Sequence, residues 1–569
     1  MSTPLLVRPA ARPESTLRLN ADQLQEAQQA FEEGGIAAVA GLFGLATDLQ
    51  ALQAIGTSLF LPLIDLSRET PDKSLLDGFP LRLVHRYGVF PTRRENSSLQ
   101  IVLSNPFDVR AIDAVAAATG KFVSAVLALP QEVAGLIKTH LGVGAQTLDG
   151  LMAQTAEDEA ELELLSELSL EDSEVAAMAQ QASVVRLVND ILTEAVSARA
   201  SDIHMEAQSG GMKIRYRIDG VLQNQPVSPE LNRFQAAILS RLKIMARLNI
   251  AEKRVPQDGR IKLRVSGREV DIRVSIIPML HGEGVVMRVL DKDAMQFSLS
   301  GVGMEADTCS RFRELIRMPH GIVLVTGPTG SGKTTTLYSA LAEIRSERNK
   351  IITTEDPIEY QLEGINQIQV NHKVGLTFAS CLRSILRHDP DVVLVGEIRD
   401  FETAENAVQA SLTGHMVFST LHTNDAAGAF MRLNDMGVEP FLISSTVEGV
   451  MAQRLVRRLC KHCREAYMPS ADEVPQDFPE AVCQSQQPIY RARGCRQCRG
   501  TGYAGRLGIY ELLVTDDNIR ALAAEKRGTA AIRQAAVKAG MRTLRQDGWL
   551  KVARGETSIE EVLRVTRAD

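Results

Sequence analysis

The sequence predicts a multidomain α/β fold, on three observations. The chain has 569 residues, several times the usual size of one domain. Between residues 303 and 456, short apolar runs of strand length alternate with helical segments, as in a parallel sheet covered by helices. Between residues 178 and 293, a helical segment is followed by strands in which polar and apolar residues alternate. We therefore expect at least two α/β domains.

The composition is that of a globular protein with a large apolar core, since 44% of residues are hydrophobic and 23% are charged. No apolar stretch approaches the ~20 residues that cross a bilayer as a helix. The first residues, MSTPLLVRPAARPEST, lack the pattern of a secretory signal, so we expect a cytoplasmic protein. The net charge of −7 argues against binding to nucleic acid. Any membrane association would then be peripheral and would depend on a partner protein.

The N-terminal part of the chain is predicted to hold a docking domain and a linker. Within residues 1–150, Ser98–Leu103 has the composition of a strand and residues 108–119 have the pattern of a helix, so we assign a small α/β docking domain. Residues 151–177 contain nine acidic side chains and no Lys or Arg, so we assign an acidic linker.

Residues 178–293 are predicted to form a mixed α/β domain built on hairpins. From Met212 to Ile218, apolar residues alternate with basic ones, and Asp219-Gly220 then turns the chain. A second hairpin pairs residues 260–265 with residues 268–274. The strand faces of this domain are rich in arginine.

A glycine-rich segment in the 303–456 domain predicts a nucleotide-binding site. It consists of Gly327, Pro328, Thr329, Gly330, Ser331, Gly332, Lys333 and Thr334, between a strand-like run and a helical stretch. In such a loop, backbone N–H groups surround phosphate oxygens and the helix N-terminus adds favourable partial charge. Lys333 would reach the β- and γ-phosphates, and the Thr334 hydroxyl would bind Mg²⁺. A chance glycine-rich turn would not require the flanking strand and helix, so we predict binding of a nucleoside triphosphate.

Acidic residues and a histidine segment follow this loop along the chain. Glu397 ends a buried-strand run, Glu355 follows the apolar Ile351-Ile352, and the histidine segment contains His415 and His422. Hydrolytic proteins with a phosphate loop need a carboxylate at a strand end beside Mg²⁺. Taken alone, each acidic residue could also be a solvated strand end, and each histidine could also be a hydrogen-bonded core residue. Their order and spacing together point to a catalytic site.

Four of the seven cysteines form two Cys-x-x-Cys pairs with 31 residues between them, Cys460 with Cys463 and Cys495 with Cys498. Such pairs supply four thiolates for a tetrahedral structural Zn²⁺. Disulfides suit secreted proteins, and no secretory signal is evident here. A thioredoxin-like redox pair would leave the second pair unexplained. We therefore predict an architectural zinc site in a tetracysteine module, residues 457–510, followed by a C-terminal helical domain, residues 511–569.

Four motifs of the 303–456 domain together resemble the secretion ATPases of type II secretion and type IV pili. They are GPTGSGKTTTLY, TTEDPIEY, DPDVVLVGEIRD and TGHMVFSTLHTN, similar to that family's Walker A loop, aspartate box, atypical Walker B motif and histidine box. The resemblance covers about residues 180–515, from ASDIHME to GIYELL. Within the family, ASLTGH and residues 435–441 look more like the type II secretion assembly ATPases of the general secretion pathway E type. The resemblance implies a multidomain P-loop (RecA-like) ATPase.

The resemblance also implies roles for residues of the nucleotide site. By this likeness, Glu397 holds the Mg²⁺ shell, Glu355 orients or deprotonates the attacking water, and His422 senses the γ-phosphate. Glu359 and His415 match the family's boxes as well, and for these two a structural hydrogen bond is an equal alternative. The implied activity is Mg²⁺-dependent ATP hydrolysis.

The family's arginine pattern maps onto Arg273, Arg288, Arg383 and Arg387. An arginine that reaches the γ-phosphate only when domains or subunits close can raise hydrolysis by ~10³–10⁵. Arg383 and Arg387 are four residues apart in a helix-like segment, so we expect them on one helix face. Surface salt bridging is the alternative for each of the four. At Gly284, where many relatives have an arginine, this chain departs from the pattern.

Partners and cofactors follow from the same resemblance. It implies a homo-hexamer that binds inner-membrane secretion platform proteins through its N-terminal domain and is thereby recruited to the cytoplasmic face of the inner membrane. The implied cofactors are ATP, Mg²⁺ and Zn²⁺. The implied function is a motor for pseudopilus assembly and protein export.

Three alternatives stay open from the sequence. A type IV pilus assembly (extension) ATPase would use the same chemistry for another machine. A nucleic-acid-translocating ATPase would suit the basic tetracysteine module, but the net charge of −7 and the aromatic content of 4% argue against it. A non-enzymatic, nucleotide-gated scaffold would keep Lys333 but would not need two separate carboxylates.

Overall fold

The structure is a computed structural model that describes residues 17–66, 71, 73–94, 97–141, 182–227, 229–265, 267–291, 297–470, 473–479 and 487–566. The chain divides into two compact units, Met1–Leu290 and Asp291–Asp569. The predicted acidic linker, residues 151–177, lies outside the described residues. None of the helices in the described part of the chain combines the length and the apolar character that a bilayer crossing requires.

The first unit begins with helices packed on a small sheet. Its elements are α1 (Ala21–Leu42), α2 (Asp48–Ser58), α3 (Leu81–Tyr87), β1 (Val89–Arg94), β2 (Ser98–Leu103), α4 (Val109–Thr119), β3 (Phe122–Leu127) and α5 (Pro130–Leu141). The strand order is β1-β2-β3, with β1 antiparallel and β3 parallel to β2. The strand predicted at 98–103 and the helix predicted over 108–119 are confirmed.

A larger antiparallel sheet forms the rest of the first unit. Its elements are α6 (Ala182–Ser197), β4 (Ala200–Gln208), β5 (Gly211–Ile218), β6 (Val221–Asn224), α7 (Gln235–Ala246), β7 (Gln257–Val265), β8 (Arg268–Met279) and β9 (Gly282–Asp291). The strand order is β6-β5-β4-β9-β8-β7. Both predicted hairpins are confirmed, because Ile218 pairs with Val221 and Val265 pairs with Arg268. Alternate residues of β5 are buried against α6, as its pattern predicts.

The second unit is built on a seven-stranded sheet. Its first elements are α8 (Ala306–Ile316), β10 (Gly321–Thr326), α9 (Lys333–Ile344), β11 (Ile351–Glu355), β12 (Asn366–Gln369), α10 (Phe378–Ile385), β13 (Val392–Val395), α11 (Phe401–Leu412), β14 (Met416–Leu421), α12 (Gly428–Asp435), α13 (Pro440–Thr446) and β15 (Val447–Leu459). The remaining elements are β16 (Glu465–Tyr467), β17 (Ile489–Arg491), β18 (Tyr503–Val514), α14 (Asp517–Ala524), α15 (Thr529–Lys538), α16 (Leu544–Ala553) and α17 (Ile559–Val565).

The sheet order of the second unit is β12-β11-β13-β14-β10-β15-β18, parallel except for β18. The predicted domain limits at 456/457 and 510/511 fall inside β15 and β18, two paired strands of this sheet. The chain thus leaves the sheet after β15, forms the tetracysteine segment, and returns as β18. The domain limits themselves stay predictions.

Both faces of the parallel sheet are covered, which explains why its strands read as continuous apolar runs. Every residue of β10 is buried. Ile322 and Leu324 belong to one apolar cluster, and Val323 and Val325 belong to another. Because β10, β11, β13 and β14 are parallel, their carboxyl ends meet at one edge of the sheet. In open α/β sheets this is the edge where ligands bind.

Candidate active site

The glycine-rich loop, which we call the phosphate loop, lies at that edge, between the end of β10 and the start of α9. Gly327 and Gly332 have φ angles of 147° and 90°, which favour glycine. A Cβ atom on Gly327 would lie 2.5 Å from the carbonyl oxygen of Gln453. The loop therefore needs glycine for its conformation and for its close packing against β15.

Lys333, the first residue of α9, folds back over this loop. Its Nζ atom donates to the carbonyl oxygens of Gly327, at 2.8 Å, and Pro328, at 3.1 Å. Burial lowers the pKa of Lys333 and the charge of Arg454 adds to this effect, while the charge of Glu397 opposes it. The ammonium group thus lies at the loop and within the electrostatic influence of Glu397.

Glu397 lies just beyond the carboxyl end of β13 and is paired with two basic side chains. Arg399 Nη2 lies 2.7 Å from Glu397 Oε1, and His422 Nε2 lies 3.3 Å from Oε2. Glu397 keeps only 15% of its side chain exposed, whereas His422 is 45% exposed. His422 follows the last residue of β14, the strand between β13 and β10. The structure thus brings Glu397 and His422 together at the edge that carries the phosphate loop.

Glu355, the last residue of β11, is buried among neutral hydrogen-bond donors. Its Oε1 accepts from Thr353 Oγ1 at 2.6 Å and from Gln367 Nε2 at 3.0 Å, and its Oε2 accepts from the Tyr338 hydroxyl. A carboxylate has about four acceptor positions, so these three donors leave one for a further partner such as water. Tyr338 belongs to α9, so Glu355 is tied to the helix that begins at the phosphate loop.

His415 lies at the other edge of the sheet. It precedes β14, its carbonyl oxygen accepts from the backbone N–H of Gly321, and Gly321 is the first residue of β10. The phosphate loop follows the last residue of that strand, roughly 17–20 Å away at ~3.3 Å per residue. The His415 Nδ1 atom contacts the Ala410 carbonyl at 2.9 Å. This geometry favours the structural alternative for His415.

Arg383 and Arg387 do not share a helix. Helix α10 ends at Ile385, so Arg387 lies in the turn that follows, and the expectation of one helix face is wrong. The reason is local, because Pro390 disfavours a helical conformation just before it and Asp389 has a φ of 52°. Arg383 forms an ion pair with Glu402, and Arg387 Nη1 donates to the Arg383 carbonyl at 2.7 Å.

Arg273 and Arg288 belong to the first unit and line one of its cavities, of about 430 Å³. Arg273 on β8 lies opposite Arg260 on β7. Arg288 on β9 is 52% exposed, and its Nε lies 3.2 Å from Asp202 Oδ1. Asp202 also pairs with Arg217, at 3.5 Å. Three arginines thus line this cavity together with the carboxylates of Asp202 and Asp258. Gly284 lies against Met279, whose Cε atom would be 2.5 Å from an added Cβ.

The four predicted cysteines converge, with Sγ atoms all within 4.8 Å of one another. The Sγ distances are 3.9 Å for Cys460–Cys495 and 3.7 Å for both Cys463–Cys498 and Cys495–Cys498. Zn–S bonds of ~2.3 Å in a tetrahedron place sulfur atoms about 3.8 Å apart. The thiol of Cys498 accepts from the backbone N–H groups of Cys495 and Gly502. These thiols have the chemistry and spacing of a closed metal site.

Sequence patterns did not single out three residues that lie beside the glycine-rich loop, Glu355 or Glu397. They are Tyr338, Arg399 and Arg454. Arg454 donates to the carbonyl oxygens of Gln453, at 3.1 Å, and Asn424, at 2.9 Å. Burial lowers the pKa of Arg454, while the charges of Glu511 and Asp425 oppose this effect. Tyr338 and Arg399 lie within motifs that carry the family resemblance, and this signal could have found them.

Comparison with known proteins identifies the family. The family described as Type II/IV secretion system protein matches residues 177–564. The chain belongs to this family. A second match, described as MshEN domain, covers residues 59–147.

Three relatives extend the similarity. Type II secretion system protein E of Xanthomonas campestris pv. campestris is 45% identical over 96% of each chain. Type II secretion system ATPase E of Vibrio cholerae is 50% identical over 73% of this chain and 82% of that protein. Type IV pilus assembly ATPase PilB of Myxococcus xanthus is 39% identical over 97% of each chain. The predicted family, the multidomain P-loop α/β class and the activity of a type II secretion ATPase are confirmed.

Proposed function

We propose that this ATPase hydrolyses ATP with Mg²⁺ at the phosphate loop and powers pseudopilus assembly and protein export at the cytoplasmic face of the inner membrane. One observation carries the proposal. The phosphate loop, Glu397 and His422 lie at one edge of the sheet, at the ends of three adjacent strands, β10, β13 and β14. This grouping of cationic, acidic and imidazole side chains supports binding of a triphosphate at this edge.

The residues divide the work of phosphoryl transfer to water. Lys333 would bind the β- and γ-phosphates, and Thr334 and Glu397 would hold Mg²⁺, whose charge would offset that of the phosphate oxygens. Glu355 has one acceptor position left and orients the attacking water. His422 contacts Glu397 and is partly exposed, so it can respond to the γ-phosphate.

The proposed active form is a homo-hexamer in which arginines complete the ATP site. The candidates are Arg273 and Arg288 from residues 178–293, with Arg383 and Arg387 from the ATPase domain. Arg273 and the phosphate loop belong to different compact units, which supports delivery of its charge by rigid-body motion. Hydrolysis would then change the orientation of domains and exert force on the membrane platform.

Two further parts of the proposal concern metal and membrane. Zn²⁺ held by Cys460, Cys463, Cys495 and Cys498 would fold the segment between β15 and β18, which the clustering of the four thiols supports. Residues 1–150 would bind an inner-membrane platform protein, which the MshEN match at 59–147 supports. Membrane association would therefore be peripheral, through that partner.

The second candidate function is that of a type IV pilus assembly ATPase. The observation that favours it is the 39% identity to PilB over 97% of each chain. Complementation separates the two functions. The chain should restore export, and not pilus extension, in strains that lack the corresponding ATPase, and the reverse result would establish the second candidate.

The chemistry is tested by two substitutions and one control. Lys333→Ala and Glu397→Gln should each lower Mg²⁺-dependent ATP turnover by at least ~100-fold, because phosphate and Mg²⁺ contacts act mainly in the transition state. Glu405→Gln changes an exposed acid of α11 and should leave turnover unchanged. If folded, assembled Glu397→Gln protein hydrolyses ATP at the wild-type rate, the Mg²⁺ assignment is wrong.

A further inference from the structure

Helix α9, which begins at the phosphate loop, contacts the Glu355 carboxylate through the hydroxyl group of Tyr338. Both side chains are buried, with relative exposures of 1% for Tyr338 and 5% for Glu355. Burial raises the pKa of Tyr338, and the charge of Glu355 raises it further. The phenol therefore keeps its proton and remains a hydrogen-bond donor to the carboxylate.

The other donors to Glu355 come from the sheet. Thr353 lies on the same strand, β11, and Gln367 lies on its neighbour, β12; both donate to Oε1. Of these three donors, Tyr338 alone belongs to α9 and contacts Oε2. The hydroxyl of Tyr338 thus sets the orientation of Glu355 relative to the phosphate-loop helix.

The ring of Tyr338 is itself held in place. It packs edge-to-face against Phe297, with ring centres 5.3 Å apart, and against Tyr360, at 6.5 Å. Tyr338 is also four residues after Thr334, so both lie on one face of α9, one turn apart. A single helix face therefore carries the proposed Mg²⁺ ligand and the donor to Glu355.

We infer that Tyr338 is a positioning residue for Glu355: its hydroxyl holds the carboxylate in one orientation relative to the phosphate loop. The inference rests on the proposed role of Glu355 in orienting the attacking water. A carboxylate that rotates away from the water lowers the rate of hydrolysis, whereas the phosphate contacts of Lys333 and the loop are unaffected. Loss of the hydroxyl should therefore lower kcat and leave nucleotide binding intact.

The test compares Tyr338→Phe with Tyr360→Phe in the full-length chain with Mg²⁺ and ATP. Each substitution removes one hydroxyl from the same aromatic cluster, so effects of ring packing are matched. We expect Tyr338→Phe to lower kcat by roughly 10- to 100-fold, the usual effect of a lost hydrogen bond to a charged group. KM for ATP should change by less than about twofold. Tyr360→Phe should leave both constants near wild type.

A double-mutant cycle with Glu355→Gln separates this inference from the proposed function. If Tyr338 acts through Glu355, adding Tyr338→Phe to Glu355→Gln should cause little further loss of kcat. An equal fold-loss in both backgrounds, a wild-type rate for Tyr338→Phe, or a parallel loss of nucleotide binding would overturn the inference. A wild-type rate for Glu355→Gln would instead remove the proposed catalytic role of Glu355. Thermal unfolding of each variant checks that the fold is retained.

Discussion

The imidazole Nε2 of His422 lies 3.3 Å from the Glu397 carboxylate, although the two residues are 25 positions apart in the chain. They meet because the neighbouring strands β13 and β14 are parallel and end at the same edge. His415, at the start of β14, is held at the opposite edge. Strand β14 thus holds the two histidines of one motif at opposite edges of the sheet.

This separation predicts different effects for the two histidines. His422→Ala should lower kcat by at least ~10-fold, because it removes a side chain that contacts the proposed Mg²⁺ ligand. His415→Ala should leave kcat within about twofold and cost about 1 kcal/mol of stability, the usual value of one hydrogen bond. Steady-state ATPase assays and denaturant unfolding measure both effects. Equal loss of kcat in both variants would contradict the structural assignment of His415.

The tetracysteine cluster predicts one Zn²⁺ per chain. Elemental analysis of protein purified without chelator should find one equivalent of zinc. Cys495→Ser should lose the metal and destabilise the segment between β15 and β18, because metal binding contributes directly to folding. Cys309→Ser, at a buried cysteine outside the cluster, serves as the control and should retain zinc. Zinc-free wild-type protein would rule out the site.

The proposed assembly predicts that Arg273→Ala impairs catalysis far more than nucleotide binding. Removal of a cation that acts only in the transition state should lower kcat by roughly 10³-fold. Arg264→Ala is a matched control, since Arg264 lies on the neighbouring strand β7, is 70% exposed and pairs with Glu269. Forced oligomerisation should raise wild-type turnover. If a verified monomer is as active per chain as the assembled form, the proposal that another subunit completes the ATP site is wrong.

Glu561 on α17 predicts a pH dependence of stability in the second unit. Burial alone would raise the pKa of Glu561, but hydrogen bonds from Arg564 and Arg457 outweigh it and lower the pKa from 4.5 to about 2. The pKa of Glu561 is lower in the folded state than in the unfolded state. The ionised Glu561 carboxylate therefore contributes its full stabilisation to the free energy of unfolding above the unfolded-state pKa of 4.5, and this stabilisation is lost as the pH falls toward 2. The shift corresponds to a stabilisation on the order of 3–4 kcal/mol, at ~1.4 kcal/mol per pKa unit.

Denaturant unfolding between pH 7 and pH 3 measures this contribution. Glu561→Gln should be less stable than wild type at pH 7 and should lose less stability on acidification. Glu560→Gln, at the exposed neighbour on the same helix, should follow the wild-type profile. Parallel profiles for wild type and Glu561→Gln would show that the ion pairs with Arg457 and Arg564 contribute little.

Features whose chemistry lies in consecutive or regularly spaced residues were predictable from the sequence alone. The phosphate loop, Lys333 and the start of α9 are contiguous, so their strand–loop–helix context was readable without a structure. The hairpin turn at Asp219-Gly220 and the two Cys-x-x-Cys pairs were readable for the same reason. Short-range geometry depends mainly on local backbone preferences, and residues close in sequence are necessarily close in space.

Which distant groups come into contact depends instead on the packing of the whole chain. The hydrogen bond from Tyr338 to Glu355, the contact between His422 and Glu397, and the return of β18 to the sheet depend on strand order and on the packing of helices. The spacing of Arg383 and Arg387 predicted that the helix continues to Arg387, but the helix ends at Ile385, ahead of Asp389 with its positive φ and of Pro390. Contacts between distant residues follow from burial of the whole apolar core, which no short segment specifies alone.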